Sequence, residues 1–266
     1  MKQNTAPVED FTSPEQNPAD LPSLLRAGAE HRPAGGLRPQ AGVGLVPASP
    51  IGPILVGVSA QGIAMIHFLR TPRDPAHALS ALRRRFDPVP DSSAVSGVRD
   101  ELDRFMAGDQ SALRSKIDLS LVGGDFQRRV LERLLEVGPG AILTYSSLAA
   151  WVNAPHASRA VGGAMHDNPI PVYVPCHRVV RSDLSLGGYG GGLDLKRRLL
   201  EIEGFSFTTR KTVAQDGAVW GHRKTKIYCR PDCHALARAN PANALLFRDE
   251  TRAADAGMRA CRLCAQ

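Results

Sequence analysis

The sequence predicts three successive units: a small α/β (α+β) unit, a mainly helical unit and a compact C-terminal unit. Apolar residues between Ile54 and Leu69 cluster in two β-type runs, which is typical of strands. From Phe126 onward, apolar residues recur at helical spacing. Four of the five cysteines fall within residues 229–264, which sets the last part of the chain apart.

The composition is that of an ordinary soluble protein. The 266 residues are 43% hydrophobic and 22% charged, and no apolar run approaches the ~18 residues that span a bilayer. The N-terminus lacks the basic-then-apolar pattern of a secretory signal. An odd number of cysteines argues against a disulfide framework. We therefore expect a cytoplasmic protein with reduced cysteines and no membrane partner.

The first 122 residues predict a leader followed by the α/β unit. Residues 1–50 contain eight prolines and five glycines with few large apolar residues, which predicts a disordered leader. The unit itself spans residues 51–122, and its runs Ile54–Ser59 and Gly62–Leu69 predict a β-hairpin. Its other regular segments are two helices and a strand, predicted over residues 77–85, 98–106 and 117–122.

The helical unit spans residues 123–204. Asp125 is placed to cap its first helix, and Pro139-Gly140 ends that segment. Two short helices separated by a turn then predict a helix-turn-helix. These helices and a later one are predicted over residues 144–151, 156–165 and 193–203. We expect a linker over residues 205–219 and a separate C-terminal unit over residues 220–266.

The charge distribution is uneven. The chain carries a net charge of +7, and its isoelectric point is about 9.5. From Phe205 to the end there are 11 lysines and arginines against 5 acidic residues. This basic tail indicates either a polyanionic partner or an incidentally basic surface, and charge alone does not separate the two.

Cys176 is the candidate nucleophile, because it directly precedes His177 and lies upstream of Glu203. An imidazole oriented by a carboxylate can activate a thiol for attack on carbon. Adjacent residues of a strand point to opposite faces, so the pair must lie on a turn or act through water. Taken alone, the same residues also fit an inert buried cysteine beside a surface histidine, or a cysteine hydrolase.

An ordered series of motifs narrows these alternatives. The series strongly resembles the O6-alkylguanine-DNA alkyltransferases, or methylated-DNA–protein-cysteine methyltransferases, over roughly residues 52–204. Its members are Tyr145, Arg159–Met165, Asn168-Pro, Pro175–Val179, Gly188–Leu193 and Glu203. The resemblance implies a ribonuclease-H-like N-terminal subdomain and a winged-helix-like helix-turn-helix domain.

The same resemblance implies a DNA repair activity. The protein would flip an O6-alkylguanine, or as a second substrate an O4-alkylthymine, out of double-stranded DNA through the minor groove. It would then transfer the alkyl group irreversibly to Cys176. No organic cofactor is expected, because the protein itself is consumed, and we expect a monomer. A noncatalytic lesion sensor or a zinc-dependent DNA-binding regulator is the alternative.

The resemblance also implies a role for each site residue. Cys176 would accept the alkyl group, His177 would act as base through a water with Glu203 behind it, and Asn168 would hold the active-site turn. Further residues would contact the flipped nucleotide. Tyr145 would donate to the guanine, Arg159 would fill the gap in the base stack, and the pocket would be lined by Met165, Val179, Tyr189 and Gly190.

Two positions depart from the usual family pattern. Gly190 stands where relatives often have serine, but its main-chain amide can still donate. Asp183-Leu184 replaces a glycine-containing turn, which predicts a slightly different loop with unchanged chemistry.

The C-terminal cysteines form a CX3C and a CX2C pair, a set that can complete a tetrahedral zinc site. The set comprises Cys229, Cys233, Cys261 and Cys264. Two disulfides or a redox-active pair are the alternatives. Residues 226–233 and 257–264 also resemble the zinc-binding domain of the Ada adaptive-response protein. That resemblance implies that Cys229 accepts a methyl group from a DNA methylphosphotriester, or that the module only binds zinc and DNA. Candidate phosphate contacts are Arg230, Arg238, Arg259 and Arg262.

Overall fold

A computed structural model of the chain describes residues 21–27, 38–71, 73–236 and 240–265. These residues form a mixed α/β architecture with one four-stranded sheet, one six-stranded sheet and a short hairpin. No helix in this described part of the chain is long and apolar enough to cross a membrane. The mixed α/β class predicted from the sequence is therefore confirmed.

The N-terminal sheet has the strand order β3-β2-β1-β4. Pairs β1–β2 and β2–β3 are antiparallel, and β1–β4 is parallel. The predicted hairpin is confirmed as β2 and β3. The strands and the helices of this unit are α1 (Leu21–Ala27), β1 (Gln40–Val46), β2 (Ile54–Ser59), β3 (Gly62–Phe68), α2 (Asp74–Arg83), β4 (Asp87–Pro90) and α3 (Ser92–Met106).

The prediction of a disordered leader is wrong for residues 40–46, because they form the inner strand β1 with a buried Val43. Its glycines, counted as signs of disorder, instead allow close packing. A Cβ on Gly44 would lie 2.8 Å from Val95 Cγ2 of α3, so only glycine lets this helix approach the sheet. Helix α1 also lies within the predicted leader, of which residues 1–20 and 28–37 lie outside the described residues.

The predicted strand over residues 117–122 is also wrong. Only Ile117 forms a bridge, to Ile63, and the chain then turns into a 3-10 helix, Leu119–Leu121. The buried Asp118 explains the turn, because its carboxylate accepts from Ser120 N at 2.9 Å and from Ser59 Oγ at 2.5 Å. A side chain that binds its own backbone competes with a strand ladder.

The helical unit contains the predicted helix-turn-helix as α5 and α6. Thr144 caps α5 by accepting from Ser147 N at 3.0 Å, and Asn153 takes a left-handed φ of 59° in the turn. The prediction that Asp125 caps α4 is wrong, because Asp125 is the first residue of that helix and Gly124 is its N-cap. The elements are α4 (Asp125–Leu134), β5 (Ala141–Thr144), α5 (Tyr145–Trp151), α6 (Ser158–His166), β6 (Val179–Val180) and α7 (Leu193–Ile202).

The C-terminal unit continues the sheet of the helical unit. The six-stranded sheet has the order β12-β10-β9-β11-β5-β6, and β11 pairs antiparallel with β5. Its last two strands, β5 and β6, come from the helical unit. The elements of the C-terminal unit are β7 (Phe207–Thr209), β8 (Thr212–Val213), β9 (Val219–His222), β10 (Ile227–Cys229), β11 (Ala244–Phe247), α8 (Glu250–Asp255) and β12 (Arg259–Ala260).

The predicted linker over residues 205–219 is wrong, because this segment is folded. Strands β7 and β8 form a hairpin, and Phe205 and Val213 are buried in one apolar cluster with Leu200 of α7 and Leu246 of β11. The apolar residues of this segment are too widely spaced to show strand periodicity. Their burial depends on contacts with distant parts of the chain.

Candidate active site and metal centre

Cys176 begins a 3-10 helix, Cys176–Arg178, that leads directly into β6. The turn that the sequence requires between the cysteine and the histidine is therefore present. Only 7% of Cys176 is exposed, and His177 is completely buried. Burial raises the pKa of the Cys176 thiol, and the Asn168 amide only partly opposes this. The resting thiol therefore needs a base to become a nucleophile.

Asn168 holds the sulfur and the loop before it. Its Nδ2 donates to Cys176 Sγ at 3.2 Å and to the Val174 carbonyl at 3.0 Å, while its Oδ1 accepts from Ile170 N at 3.0 Å. Between these contacts Val172 is buried with a φ of +76°, a strained conformation for a β-branched residue. The hydrogen bonds of Asn168 thus stabilise a loop whose backbone is unfavourable in isolation.

His177 and Glu203 form the second part of the site. His177 Nε2 lies 3.0 Å from Glu203 Oε1, and Nδ1 has no hydrogen-bond partner among the described residues. The carboxylate therefore assigns the proton to Nε2 and leaves Nδ1 as an acceptor. Burial lowers the pKa of His177 despite the opposing charge of Glu203, so the imidazole is neutral in the resting site.

Arg178 completes this cluster, and sequence reasoning missed it. Its guanidinium contacts Glu203 by Nε at 2.9 and 3.0 Å and by Nη2 at 2.6 Å, and it also donates to the Val137 carbonyl. Burial alone would raise the pKa of Glu203, but Arg178 and His177 outweigh it and lower that pKa to about 2. A charged residue in an apolar run was the available signal.

Lys196 is a second residue that sequence reasoning missed. It is fully buried in α7, and its Nζ donates to the carbonyls of Val179 at 2.6 Å, Leu186, and Gly188 at 3.5 Å. Burial lowers the pKa of Lys196 to about 8, with the charge of Cys176 acting in the opposite direction. It occupies a core position of α7 at helical spacing from the buried Leu199 and Leu200, which was the signal in the sequence.

A cavity of about 1070 Å³ opens beside the sulfur. It brings together five of the predicted site residues and continues along β3 and α2 of the N-terminal unit. The predicted residues that line it are Met165, Asn168, Cys176, Tyr189 and Gly190. The Tyr189 ring contacts Phe68 of β3 edge-on, with centroids 6.2 Å apart. Val179 does not line the cavity, and its contribution is the carbonyl that Lys196 binds.

Tyr145 and Arg159 lie on the helix-turn-helix, and neither of them lines the cavity. Burial and the nearby Cys176 raise the pKa of Tyr145, so its hydroxyl stays protonated. Its ring fits against Gly187, which has a φ of +66°, and a Cβ there would lie 2.9 Å from Tyr145 Oη. Arg159 is exposed in the first turn of α6, with no structural contact to Cys176.

The four C-terminal cysteines converge on one point. Their sulfurs all lie within 4.8 Å of one another, and Cys233 Sγ is 3.6 Å from Cys261 Sγ. Sulfurs around a tetrahedral zinc ion lie about 3.8 Å apart, given bonds of about 2.3 Å. All four are free thiols, so the two-disulfide alternative is not what the structure shows. The cluster therefore fits a metal ion of zinc's size and geometry.

Comparisons with known proteins agree with this arrangement. The family described as "6-O-methylguanine DNA methyltransferase, DNA binding domain" matches residues 125–205, and the "Metal binding domain of Ada" matches residues 206–266. A methylated-DNA–protein-cysteine methyltransferase of Mycobacterium tuberculosis is 38% identical over 155 residues, which are 58% of this chain and 88% of the relative. This chain belongs to the methylated-DNA–protein-cysteine methyltransferase family.

Further relatives of the methyltransferase support this assignment. The Haemophilus influenzae enzyme of the same name is 34% identical over 164 residues, which are 62% of this chain and 87% of the relative. A crystal structure of the M. tuberculosis O6-methylguanine methyltransferase is 35% identical with a TM-score of 0.50, covering 62% of this chain and 93% of that one. A structure of M. tuberculosis OGT in complex with DNA gives the same identity and TM-score over 63% and 93%.

These matches confirm the family that the motif series predicts, and they confirm the Ada-type metal-binding unit. The Ada match begins at residue 206, inside the predicted linker, in agreement with the folded hairpin there. Of the predicted phosphate contacts, Arg230, Arg259 and Arg262 are exposed, and Arg238 lies outside the described residues. The roles of the individual site residues and the ribonuclease-H-like and winged-helix-like descriptions stay predictions.

Proposed function

We propose that this methyltransferase repairs O6-alkylguanine in double-stranded DNA by transferring the alkyl group to Cys176, once per protein molecule. The position of the Cys176 sulfur supports the proposal. Cys176 Sγ accepts from Asn168 at 3.2 Å, lines the cavity, and directly precedes a histidine that is paired with a carboxylate at 3.0 Å. Such a site has the acceptor, the base and the space that the transfer needs.

The proton and the alkyl group move in opposite directions. His177 Nδ1 takes the thiol proton through a bridging water, and Glu203 stabilises the imidazolium that forms. The thiolate attacks the alkyl carbon, so that the S–C bond forms while the O6–C bond breaks and its electron pair remains on the guanine. The hydroxyl of Tyr145 donates to the departing base. The thioether is stable, so the protein is consumed and needs no organic cofactor.

The reacting base must first leave the duplex, because a stacked base cannot meet a protein thiol. Arg159 on the exposed face of α6 fills the gap that the flipped nucleotide leaves in the stack. The small residues Gly162 and Gly163 let this helix approach the minor groove closely. The flipped base is held by Met165 and Tyr189 and by the main chain at Gly190, all of which line the cavity.

Peptide mass spectrometry tests the acceptor. Protein in excess is mixed with a duplex carrying one O6-methylguanine, and the Cys176 peptide is expected to gain the mass of one methylene. Cys176→Ser should abolish transfer and retain DNA binding, whereas Cys229→Ser should leave this transfer intact. An unmodified Cys176 with persistent binding would establish the lesion-sensor alternative, and repeated turnover would establish a hydrolase. The same assay with O4-methylthymine tests the proposed second substrate.

Arg159→Ala tests base flipping. The variant should transfer about tenfold or more slowly, since extruding a base costs a few kcal/mol that Arg159 no longer offsets. Its unfolding midpoint should not change, because the side chain is exposed. Arg129→Ala, which replaces another arginine of the same domain, on α4, is the control. A wild-type transfer rate for Arg159→Ala would rule out this role.

We propose zinc as the metal of the C-terminal unit, held by Cys229, Cys233, Cys261 and Cys264. Four thiolates and a spacing suited to a tetrahedral ion support zinc. A bound zinc ion would keep the four thiols deprotonated at neutral pH. The exposed Arg230, Arg259 and Arg262 then contact DNA phosphates. We expect one zinc per chain by elemental analysis, and DNA affinity that falls with salt less steeply when Arg262 is replaced by alanine.

The same unit supports a second acceptor, Cys229, for a methyl group from a DNA methylphosphotriester. Its match to the metal-binding domain of Ada favours this role over a purely structural one. The sulfur would gain the methyl group as the O–C bond of the triester breaks, which restores the phosphodiester. Peptide mass spectrometry of the wild-type chain after exposure to a methylphosphotriester oligonucleotide decides it. A modified Cys229 peptide supports the proposal, and an unmodified one leaves a DNA-binding module.

We further propose that the protein acts as a cytoplasmic monomer. The site is formed by residues of one chain, and its acceptor, base and pocket need no second copy. Sedimentation of the protein with and without a short duplex tests the monomeric state, with one protein per lesion as the expected result.

A further inference from the structure

The end of helix α7 that carries Glu203 is held by an arginine of the C-terminal unit. Arg248 directly follows β11, and its Nη1 donates to the main-chain carbonyl of Glu203 at 2.8 Å. Its own amide donates to the Gly140 carbonyl at 3.0 Å, just before β5. Arg248 thus connects the strand that leads into the helix-turn-helix with the residue that pairs with His177.

Two glycines leave room for this arginine. Gly204 has a φ of +92°, and a Cβ there would overlap the Arg248 side chain, lying 2.7 Å from its Cδ. Gly140 has a φ of +74°, and its Cβ would lie 3.3 Å from the same Cδ. The lack of a Cβ at Gly204 and at Gly140 therefore leaves room for the Arg248 side chain on both sides.

A second arginine acts on the neighbouring carbonyl. Arg252 of α8 donates by Nη2 to Gln110 Oε1 at 2.6 Å, and Gln110 Nε2 donates to the Ile202 carbonyl at 3.0 Å. The last carbonyls of a helix lack partners within the helix, and cations near them are favourable. The C-terminal unit therefore caps the Glu203 carbonyl directly through Arg248, and through Arg252 it holds Gln110 of the N-terminal unit, which caps the Ile202 carbonyl.

The six-stranded sheet positions His177, the other member of the His177–Glu203 pair. Strand β11 pairs with β5, and β5 pairs with β6, which directly follows the 3-10 helix that contains His177. Leu246 of β11 and Leu200 of α7 lie in the same buried cluster. The strand that carries Arg248 is thus connected to both His177 and Glu203.

We propose that Arg248 is a positioning residue for alkyl transfer, which holds the Glu203 carboxylate against His177 Nε2 from the metal-binding unit. The C-terminal unit is then part of the frame of the Cys176 site, besides any role of its own on DNA. This inference rests on the proposed role of Glu203 as the partner of the base.

Two variants of the full chain separate the hydrogen bond from packing. Arg248→Met keeps an apolar stem without a donor, and Arg248→Lys keeps a donor to the Glu203 carbonyl. We expect Arg248→Met to transfer from O6-methylguanine about tenfold more slowly, since small displacements of a catalytic pair cost up to a hundredfold. Arg248→Lys should restore most of the rate. Zinc content and affinity for unmodified duplex should not change in either variant.

The imidazole of His177 provides a readout that packing alone would not move. Glu203 raises the pKa of His177 and fixes its tautomer, so Arg248→Met should lower that pKa further and shift its 15N resonances. Arg223→Ala is the matched control, because Arg223 also joins the C-terminal unit to the helical unit, through Glu136 at 3.0 Å and the Trp151 ring at 4.6 Å. It makes no contact with α7 in the described structure, and its rate and its His177 resonances should be those of the wild type.

The outcomes are distinguishable. Equal rates for Arg248→Met and Arg248→Lys, or unchanged His177 resonances in Arg248→Met, would overturn the inference. If Arg223→Ala slowed transfer as much as Arg248→Met, the effect would come from the general attachment of the C-terminal unit, and the inference would also be overturned. If Glu203→Gln transfers at the wild-type rate, the proposed function of Glu203 fails first. If Glu203→Gln transfers slowly and Arg248→Met transfers at the wild-type rate, only the role of Arg248 is rejected.

Discussion

The completely buried Lys196 donates a hydrogen bond from its ammonium group to the main-chain carbonyl of Val179, at 2.6 Å. The same nitrogen reaches the carbonyls of Leu186 and Gly188. Its three protons thus meet three oxygens that flank the Cys176 loop and the pocket loop. A buried cation is tolerated here because the carbonyl oxygens replace its water. Lys196 therefore ties helix α7 to both loops of the site.

Replacing Lys196 by methionine should destabilise the protein and slow transfer together. The substitution keeps most of the side-chain volume and leaves buried carbonyls without a donor, which costs on the order of 3 kcal/mol. Urea unfolding and single-turnover transfer measure the two effects. Arg198→Ala, an exposed position two residues along α7, should change stability by less than about 0.5 kcal/mol. A fully stable and fully active Lys196→Met would contradict this account.

Acid should weaken the fold through Glu203. The pKa of this carboxyl is about 2 in the folded protein against an ordinary 4.5, because Arg178 and His177 outweigh its burial. A depressed carboxyl pKa adds stability that is complete above the unfolded value, and it is lost as pH falls from about 4.5 to about 2. The contribution is on the order of 3 kcal/mol. Denaturant unfolding at a series of pH values measures it.

The matched variant for this acid effect is Glu203→Gln. It should be less stable at pH 7, because it leaves Arg178 as an unpaired buried cation. Its stability should also vary less between pH 4.5 and pH 2 than that of the wild type. An unchanged slope in that window would assign the acid sensitivity to other carboxylates.

Gly187→Ala should impair transfer through Tyr145. A Cβ at this position would lie 2.9 Å from Tyr145 Oη, and the backbone φ of +66° strains any residue with a side chain by about 1 kcal/mol. The phenol must move, so the donor to the departing guanine is displaced. Gly138→Ala, a loop position with open space around its Cβ, is the control. Transfer rates and unfolding midpoints of both variants provide the comparison, and equal rates would exclude this packing role.

Removing a metal ion bound by the four cysteines should reduce amide protection beyond the cysteine cluster. Strands β10 and β9 lead from Cys229 through β11 to β5 of the helical unit, so loosening the cluster should lower amide protection in Ala141–Thr144. Hydrogen exchange before and after chelation measures this in the intact chain. Amides of Ile54–Ser59, in the other sheet, should be unaffected and serve as the internal control. Unchanged protection of β5 would show that the two parts of the sheet respond independently.

Sequence periodicity predicted the regular elements with strong patterns and missed those that depend on distant partners. The hairpin of β2 and β3 and the helices α2 to α7 carry apolar spacing that is visible locally. Strand β1 was missed because Gly44 is a packing residue against Val95, and glycine in sequence has the same signature in a loop. The segment from Phe205 to Val219 lacks local periodicity, and its burial comes from Leu200 and Leu246.

The motif series predicted the family correctly, but it contained no geometry. That Cys176 and His177 share a 3-10 helix, and that His177 meets Glu203 at 3.0 Å, requires the packed structure. Arg178 and Lys196 were overlooked because charged residues are usually exposed. Burial identifies both of them, since each binds groups that come from two different segments.

The sheet shared by the helical and C-terminal units affects how the protein can be truncated. Cutting after Phe205 would remove β11 and leave one side of Ala141–Thr144 as an open edge, with the apolar surfaces of Ile142 and Leu200 bared to solvent. Unpaired edges of this kind recruit other chains and promote aggregation. A shortened version would therefore need a polar substitution at that border to stay dispersed, although the transferase motifs themselves would all be retained.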